Sequence, residues 1–279
     1  DASYASYARD ILTYVQREMT HPDGGFYSAQ DAESAINPAN PEAKEEGAFY
    51  VWTKDQIHRT LSPLEERVFN YRFGVKESGN VENDPQQAFA GKNILFVAHT
   101  LGEAAQQFHM SEEGVASLEA AAREKLLAER GVRPHPFLDD KILTSWNGLM
   151  ISAFAKGYQI LGEAGYLQSA ERAAAFVHAK LYTAVNHGLL RRYRNGDARY
   201  QGSLADYAFY VQGLLDLYES SFDIKWFDLA LILTERQNTL FYDRPNGGFY
   251  DDAGNDGTIL SRSKEWYDGA EPAGNAIAI

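Results

Sequence analysis

Residues 22–28 read PDGGFYS, and the pattern returns at residues 245–251 as PNGGFYD, which indicates an internal repeat. The glycine pair suits a helix exit that needs positive φ, and the aromatic residues after it predict a short strand. A looser copy, NHGLLR at residues 186–191, leads to a turn at residues 195–197 that reads NGD, a β-hairpin signal. The repeat therefore predicts hairpins that separate pairs of helices.

Apolar residues recur at helical spacing in several windows around these hairpins. The windows are residues 4–19, 112–130, 143–161, 166–181, 204–218 and 225–241. Ser111, followed by Glu112 and Glu113, predicts a capped start for the second window. The spacing of the repeats is roughly 60 residues, which favours a solenoid or toroid of helical hairpins, with an open bundle as the alternative.

A chain of 279 residues allows one large domain or two ordinary ones. No linker is evident, so we expect a single domain over residues 1–279. Residues 36–46, 76–92 and 132–141 lack periodicity and are predicted to be long loops. The sequence opens and closes within helical patterns, so we also expect a fragment of a longer protein, with the rest of the parent chain as its partner.

The composition excludes several classes of function. Acidic residues outnumber basic ones by 39 to 26, and the net charge of −13 disfavours nucleic-acid binding. No apolar run is long enough to cross a bilayer, and no signal peptide is evident. The lack of cysteine excludes disulfides, thiolate zinc sites and cysteine nucleophiles. We expect a cytoplasmic protein without a membrane partner.

Five motifs in a fixed order carry a family resemblance. They are GGFYSAQDAES at residues 24–34, EGAFYVWT at 46–53, DDKILTSWNGLM at 139–150, SLADYA at 203–208 and DGAEPAGN at 268–275. Through them the chain resembles the YyaL family of thioredoxin-domain proteins, which includes the spermatogenesis-associated protein 20 group. The match covers nearly all of this sequence but less than half of a family member.

The resemblance implies an N-terminal thioredoxin-like domain followed by an (α/α)6 barrel. Such a barrel is similar to N-acylglucosamine 2-epimerases and six-hairpin glycosidases. The expected fold class is therefore mainly α: an incomplete (α/α)6 toroid with short β-hairpins between helix pairs. The thioredoxin-like domain and the closing helices are expected to lie outside this chain.

Candidate catalytic residues are carboxylates that lie beside loops in these motifs. They are Asp31, Glu33, Asp140, Asp206 and Glu271. In a toroid of helical hairpins, the hairpins and the inner-helix starts gather at one end, so we expect these acids to surround one cleft. Glycoside hydrolysis needs a pair of carboxylates, one to protonate the leaving oxygen and one to activate water or attack. Helix N-capping is the alternative role for each acid, and it stays open.

Candidate substrate-binding residues come from the same motifs: Lys141, Trp146, Asn147, Tyr207 and Tyr27. Trp146 and Asn147 would offer a sugar ring a flat apolar face beside an amide. The alternatives are that Trp146 packs in the core, that Lys141 pairs with a neighbouring aspartate, and that the tyrosines pack the hairpins onto the helices.

Two observations bear on the type of chemistry. None of the seven histidines lies in the five motifs, which argues against the two-histidine mechanism of the related epimerases. Histidine pairs at helical spacing and phosphate-binding glycine loops do not occur, so no metal or other cofactor is expected.

The sequence thus predicts a carbohydrate-active or carbohydrate-binding barrel that uses acid/base chemistry on a sugar. Its activity would be epimerase/isomerase-like or glycosidase-like. The alternatives are a non-catalytic interaction or structural module that supports a thioredoxin-like domain, and a repeat scaffold that binds peptides.

Overall fold

The computed structural model describes residues 2–85, 88–255, 257 and 260–279. Within them, a repeat made of a helix, a hairpin and a second helix occurs three times. The helices are α1 (Ala2–Glu18), α2 (Lys54–Thr60), α3 (Pro63–Arg72), α4 (Leu101–Phe108), α5 (Glu112–Gly131), α6 (Thr144–Leu161), α7 (Ala164–Lys180), α8 (Leu204–Ser221), α9 (Ile224–Phe241) and α10 (Gly274–Ala278). The strands are β1 (Ala29–Gln30), β2 (Glu33–Asn37), β3 (Asn40–Glu46), β4 (Leu138–Asp139), β5 (Ile142–Leu143), β6 (Tyr182–Thr183), β7 (Gly188–Arg194) and β8 (Asp197–Gln201).

The chain divides into two units. The first consists of Asp1–Ala29 and Asp139–Ile279, and the second, Gln30–Leu138, is inserted between them in sequence. The insertion separates the first glycine hairpin from the helix that would otherwise follow it, α6. Among the described residues, we find no helix that is both long and apolar enough to span a membrane.

The first unit contains the three repeats. Each repeat runs from one helix through a hairpin to a second helix: α1 to α6, α7 to α8, and α9 to α10. The second helices lie side by side, because α8 packs against both α6 and α10, while α7 and α9 also pack against α8. The unit therefore has the helical-hairpin architecture of an incomplete (α/α)6 toroid, as predicted.

Helix α8 is buried along most of its length because neighbouring helices cover it on several sides. Tyr207, Tyr210, Leu214 and Leu217 are at most 1% exposed. Such a helix needs apolar residues around most of its circumference. Its position between α6 and α10 brings the second helices of the three repeats together.

The helical windows predicted from the sequence are confirmed, with bounds that differ by a few residues at most. The hairpin at residues 195–197 is also confirmed: β7 and β8 pair antiparallel, and Asn195 and Gly196 both have positive φ, as a type I′ turn requires. Ser111 caps α5 as predicted, because its hydroxyl accepts a hydrogen bond from the N–H of Gly114.

The second unit consists of α2 to α5 and the β2–β3 hairpin. Its core holds Trp52, Ile57, Phe69 and Leu126, and the guanidinium of Arg133 lies 3.9 Å from the centre of the Trp52 ring. The same guanidinium donates hydrogen bonds to the carbonyls of Phe49 and Val51. Arg133 therefore joins the segment before α2 to the segment after α5.

The prediction of a long loop at residues 36–46 is wrong. Residues 36–46 form most of the β2–β3 hairpin, whose turn is held by a hydrogen bond from the N–H of Ala39 to the side chain of Asn37. Most residues of β3 are exposed, so the strand lacks the apolar alternation that would have identified it. The described part of residues 76–92 is irregular, as predicted; residues 86 and 87 lie outside the described residues. Residues 132–141 are irregular apart from β4.

Glu65 gives the second unit a pH-dependent contribution to stability. Its carboxylate is 7% exposed and accepts hydrogen bonds from Lys125 at 2.6 Å and from the backbone N–H of Ser62 at 2.9 Å. Lys125 and Ser62 together lower the pKa of Glu65 to about 2. A carboxyl whose pKa is lowered on folding stabilises the protein above its unfolded pKa, and this contribution is lost as the pH falls toward 2.

We therefore expect Glu65→Gln to reduce the free energy of unfolding by about 2 kcal/mol at pH 7. This difference from the wild type should shrink as the pH falls from about 4.3, the unfolded value, toward 2. Urea unfolding followed by tryptophan fluorescence at several pH values measures it. Glu129→Gln, an exposed position on α5, is the control. A difference that stays constant with pH would contradict the assignment.

Candidate functional site

Each hairpin of the first unit is fixed to the start of the second helix of its repeat. The Asn147 side chain accepts a hydrogen bond from the N–H of Phe26 at 2.8 Å and donates one to the carbonyl of Phe26 at 3.0 Å. Asn275 makes the same two hydrogen bonds with Phe249. In the middle repeat, the Tyr207 hydroxyl accepts a hydrogen bond from the N–H of Leu189 at 2.9 Å. Asn147 and Tyr207 therefore hold the hairpins in place.

The backbone gives the three hairpins a common register. The N–H groups of Tyr27, Leu190 and Tyr250 each bond to the carbonyl of a residue at or just beyond the end of the preceding helix. The next residues in the three hairpins are Ser28, Arg191 and Asp251, and all three line one cleft. Equivalent positions of three repeats thus contribute to a single site.

This cleft has a volume of about 1140 Å³ and lies entirely within the first unit. Part of its lining comes from α1 with the residue after it and from α6, through Tyr14, Met19, Leu149 and Met150. Another part comes from the segment of residues 265–274, which includes Glu265, Tyr267 and Glu271. Such a volume suits a small ligand of several rings.

Trp146 and Glu271 are joined in this cleft. The indole N–H of Trp146 donates a hydrogen bond of 2.7 Å to the Glu271 carboxylate, and 42% of the Trp146 surface is exposed. The alternative that Trp146 packs in the core is therefore wrong. Glu271 does not cap α10, which begins three residues later at Gly274. Its carboxylate is exposed and held in place by the tryptophan.

The other carboxylates of the lining are also bonded to protein donors. Asp251 accepts hydrogen bonds from the Ser263 hydroxyl at 2.8 Å and from the N–H of Glu265 at 2.9 Å. Glu265 accepts one from the N–H of Tyr267 at 3.2 Å. These bonds fix the segment of residues 265–274, which contributes to the lining of the cleft.

Tyr27 lines the cleft beside its hairpin. Burial raises the pKa of Tyr27, and the negative charge of Asp140 adds to this effect, so the phenol is neutral at pH 7. Asp140 accepts a hydrogen bond of 2.5 Å from Arg194, and Lys141 pairs with Asp139 at 2.9 Å. Asp140 and Lys141 therefore have protein partners, and neither is among the described residues that line the cleft.

Asp206 is fully buried where the starts of α6 and α8 meet. One carboxylate oxygen accepts a hydrogen bond from the N–H of Ser145 in α6, and the other accepts two from Ser203, the N-cap of α8. Burial raises the pKa of Asp206, and these hydrogen bonds and the nearby charge of Arg191 partly oppose the rise. The geometry is that of a carboxylate that caps two helices, the alternative role considered for these acids.

Asp31 and Glu33 lie in the second unit, and both are exposed. The Asp31 side chain accepts a hydrogen bond from the N–H of Glu33 at 3.2 Å, which stabilises the local turn. Of the ten candidate residues, the structure brings Tyr27, Trp146, Asn147 and Glu271 together in the lining of the cleft.

The sequence patterns did not identify Arg191, Asp251, Glu265 and Tyr267, which also line the cleft. Arg191 and Asp251 could have been found by aligning the three hairpins. Leu190 and Tyr250 are the equivalents of Tyr27, and Arg191 and Asp251 are the residues that follow them. Glu265 and Tyr267 lie in an irregular segment that has no periodic signal. Within the described residues, no histidine lines the cleft and no group of acidic residues or histidines is arranged to hold a metal ion.

Comparison with known proteins gives relatives that are longer than this chain. Spermatogenesis-associated protein 20 from Homo sapiens is 36% identical over 298 aligned positions, which cover 100% of this chain and 38% of that protein. The Mus musculus protein of the same name is also 36% identical, with the same coverage. The chain thus spans 38% of the length of these relatives. No family model matches it.

Several solved structures are distantly similar to this chain. A sugar epimerase from a ruminal bacterium has a TM-score of 0.42 and 11% identity, covering 94% of this chain and 61% of that one. Cellobiose 2-epimerase from Bacillus thermoamylovorans B4167 has a TM-score of 0.40 and 10% identity, covering 90% and 60%. These likenesses concern the helical-hairpin architecture alone.

Proposed function

We propose that the chain, which belongs to the spermatogenesis-associated protein 20 family, binds a carbohydrate in the cleft of its first unit and acts on it by acid/base chemistry. The observation that carries this proposal is the pairing of Trp146 with Glu271. A half-exposed indole face suits the C–H face of a sugar ring, and a fixed carboxylate beside it suits a hydroxyl or a glycosidic oxygen.

The aromatic lining supports a ring-shaped ligand. Tyr27 and Tyr267 contribute phenol rings to the same cleft as Trp146. A neutral phenol at Tyr27 can both donate and accept a hydrogen bond with a sugar hydroxyl. Aromatic faces combined with hydroxyl partners distinguish this lining from a purely apolar groove.

In this proposal Glu271 is the acid/base group. Its exposed carboxylate can exchange a proton with a ligand, while the Trp146 N–H holds one of its oxygens in a defined position. Glu265, on the same segment, is the second carboxylate that hydrolysis would need. Asn147, Asp206 and Tyr207 act indirectly in this proposal, because they position the hairpins and helices that form the cleft.

The test is a proton NMR titration of the full chain with free sugars and short oligosaccharides in deuterated buffer. We expect Trp146→Ala to weaken binding by about tenfold or more, since it removes the stacking face. Glu271→Gln should retain binding and reduce turnover by about 10²–10⁴-fold. Trp266→Ala is the control, because Trp266 is 83% exposed, lies in the same segment and does not line the cleft.

The spectra also distinguish the reactions. Loss of the C2 proton signal would indicate enolisation and epimerisation, whereas new reducing ends would indicate hydrolysis. Binding without either change would support a carbohydrate-binding module. If no sugar of the panel binds, the proposal is wrong, and a non-catalytic module supporting the rest of the parent chain becomes the better hypothesis.

A further inference from the structure

The charged side chains that line the cleft differ in whether they have protein partners. The carboxylates of Asp251, Glu265 and Glu271 each accept a hydrogen bond from the protein. Arg191 lines the same cleft and is exposed. Within the described part of the chain, its guanidinium makes neither a hydrogen bond nor an ion pair. Arg191 is therefore the charged side chain of the described lining whose polar atoms have no protein partner in a hydrogen bond or ion pair.

The other arginines of the β7–β8 hairpin show that this feature is specific to Arg191. Arg194 pairs with Asp140 at 2.5 Å, and Arg199 pairs with Asp197 at 2.5 Å. Arg192 lies 3.6 Å from the Asp197 carboxylate and over the ring of Tyr200. Three arginines of the hairpin thus have carboxylate partners, whereas Arg191, which lines the cleft, has none in an ion pair within the described residues.

Asp206 is a buried carboxylate that interacts electrostatically with Arg191. The positive charge of Arg191 lowers the pKa of this buried carboxyl, so the two groups interact through space. No hydrogen bond joins them, and the Asp206 oxygens already accept hydrogen bonds from Ser145 and Ser203. The N–H groups of Arg191 therefore remain available to a ligand.

We propose that the cleft selects sugars that carry a carboxylate, that is, uronic acids, and that Arg191 binds this carboxylate. The inference rests on the proposed function of the cleft. The planar guanidinium matches a carboxylate in a two-point hydrogen-bonded pair, while the aromatic rings contact the sugar. Three carboxylates and one guanidinium make the lining net negative, so it repels a phosphate with two charges more strongly than a carboxylate with one, and the pair with Arg191 has to offset the smaller repulsion.

The test compares matched sugars on the full chain. Methyl glycosides of glucose, galactose and mannose are titrated beside the methyl glycosides of the corresponding uronic acids, with affinity measured by NMR or calorimetry. We expect at least one uronic acid to bind about tenfold more tightly than its neutral counterpart. Arg191→Gln should remove this preference, so that the uronic acid no longer binds more tightly than its neutral counterpart. Arg199→Gln, in the same hairpin but outside the lining, should retain the preference.

The other outcomes are distinguishable. If neutral sugars and uronic acids bind equally, the inference is wrong and the proposed function stands; if neither binds, both are wrong. Tighter binding of glucose 6-phosphate than of methyl glucuronide would overturn the choice of a carboxylate. If Arg191→Gln lowers the melting temperature and retains the preference for uronic acids, Arg191 serves to balance Asp206 and the inference fails.

Discussion

Gly148→Ala is expected to reduce the free energy of unfolding of the first unit by about 3 kcal/mol or more. A Cβ atom at this position would lie 2.3 Å from the backbone carbon of Phe209 and 2.5 Å from the backbone nitrogen of Tyr210. These atoms belong to α8, so relief of the overlap would require α6 and α8 to move apart. The higher helix propensity of alanine, about 1 kcal/mol, is too small to compensate.

The glycine contact is reciprocal. A Cβ atom at Gly213 of α8 would lie 2.6 Å from the carbonyl oxygen of Gly148 in α6. The two helices therefore approach each other closely where both lack a side chain. Because Trp146 and Asn147 directly precede Gly148, the same contact determines where they lie in the cleft.

Thermal unfolding measures the effect, with an expected decrease in Tm of roughly 6–12 °C. Gly165→Ala is the matched control, because Gly165 lies in α7 of the same unit and a Cβ atom there would meet nothing closer than 3.9 Å. This control should be neutral or slightly stabilising. Equal stability of the two variants would show that the helices are not held at this distance.

The architecture of the first unit could be predicted because its signals are local and repeated. The glycine pairs have the predicted positive φ at Gly24, Gly247 and Gly248, and the helical windows follow from apolar spacing. The insertion of Gln30–Leu138 was not evident. Its boundaries fall within the short strands β1 and β4, where neither composition nor periodicity changes enough to mark them.

The lining of the cleft could be predicted only in part, because sequence motifs do not separate residues that line a cleft from residues that hold the fold. Asn147 and Trp146 are neighbours in the same motif. Yet Asn147 is 1% exposed and bonded to a hairpin, whereas Trp146 is half exposed in the cleft. Conversely, Arg191 lies outside the five motifs and lines the cleft through the register of its hairpin. The burial and hydrogen bonds of each side chain in the structure separate the residues that line the cleft from those that hold the fold.

Asp206→Ala is expected to reduce the free energy of unfolding by about 3 kcal/mol or more, because it leaves three hydrogen-bond donors of two helix starts without their acceptor. A catalytic Asp206 would instead tolerate substitution with little loss of stability. Chemical denaturation of the full chain measures the change. Asp140→Ala, at a partly exposed ion pair with Arg194, is the control and should change stability by about 1 kcal/mol or less.

The pH dependence provides a second test of Asp206. Burial raises the pKa of Asp206 above its unfolded value, so the folded protein holds this proton more tightly than the unfolded chain does. The stability that Asp206 contributes is therefore greatest below its unfolded pKa of about 3.9, and it decreases as the pH rises through the folded pKa. Asp206→Asn supplies a reference that cannot titrate.

The measurement is the difference in unfolding free energy between the wild type and Asp206→Asn at several pH values above 4. We expect this difference to decrease with rising pH, because ionisation of the buried carboxyl costs free energy in the folded state alone. A difference that increases with pH would mean that the hydrogen bonds from Ser145 and Ser203, with the charge of Arg191, outweigh burial. Asp206 would then be an ionised carboxylate stabilised between the starts of two helices. Its contribution to stability would depend on its negative charge as well as on the hydrogen bonds that it accepts.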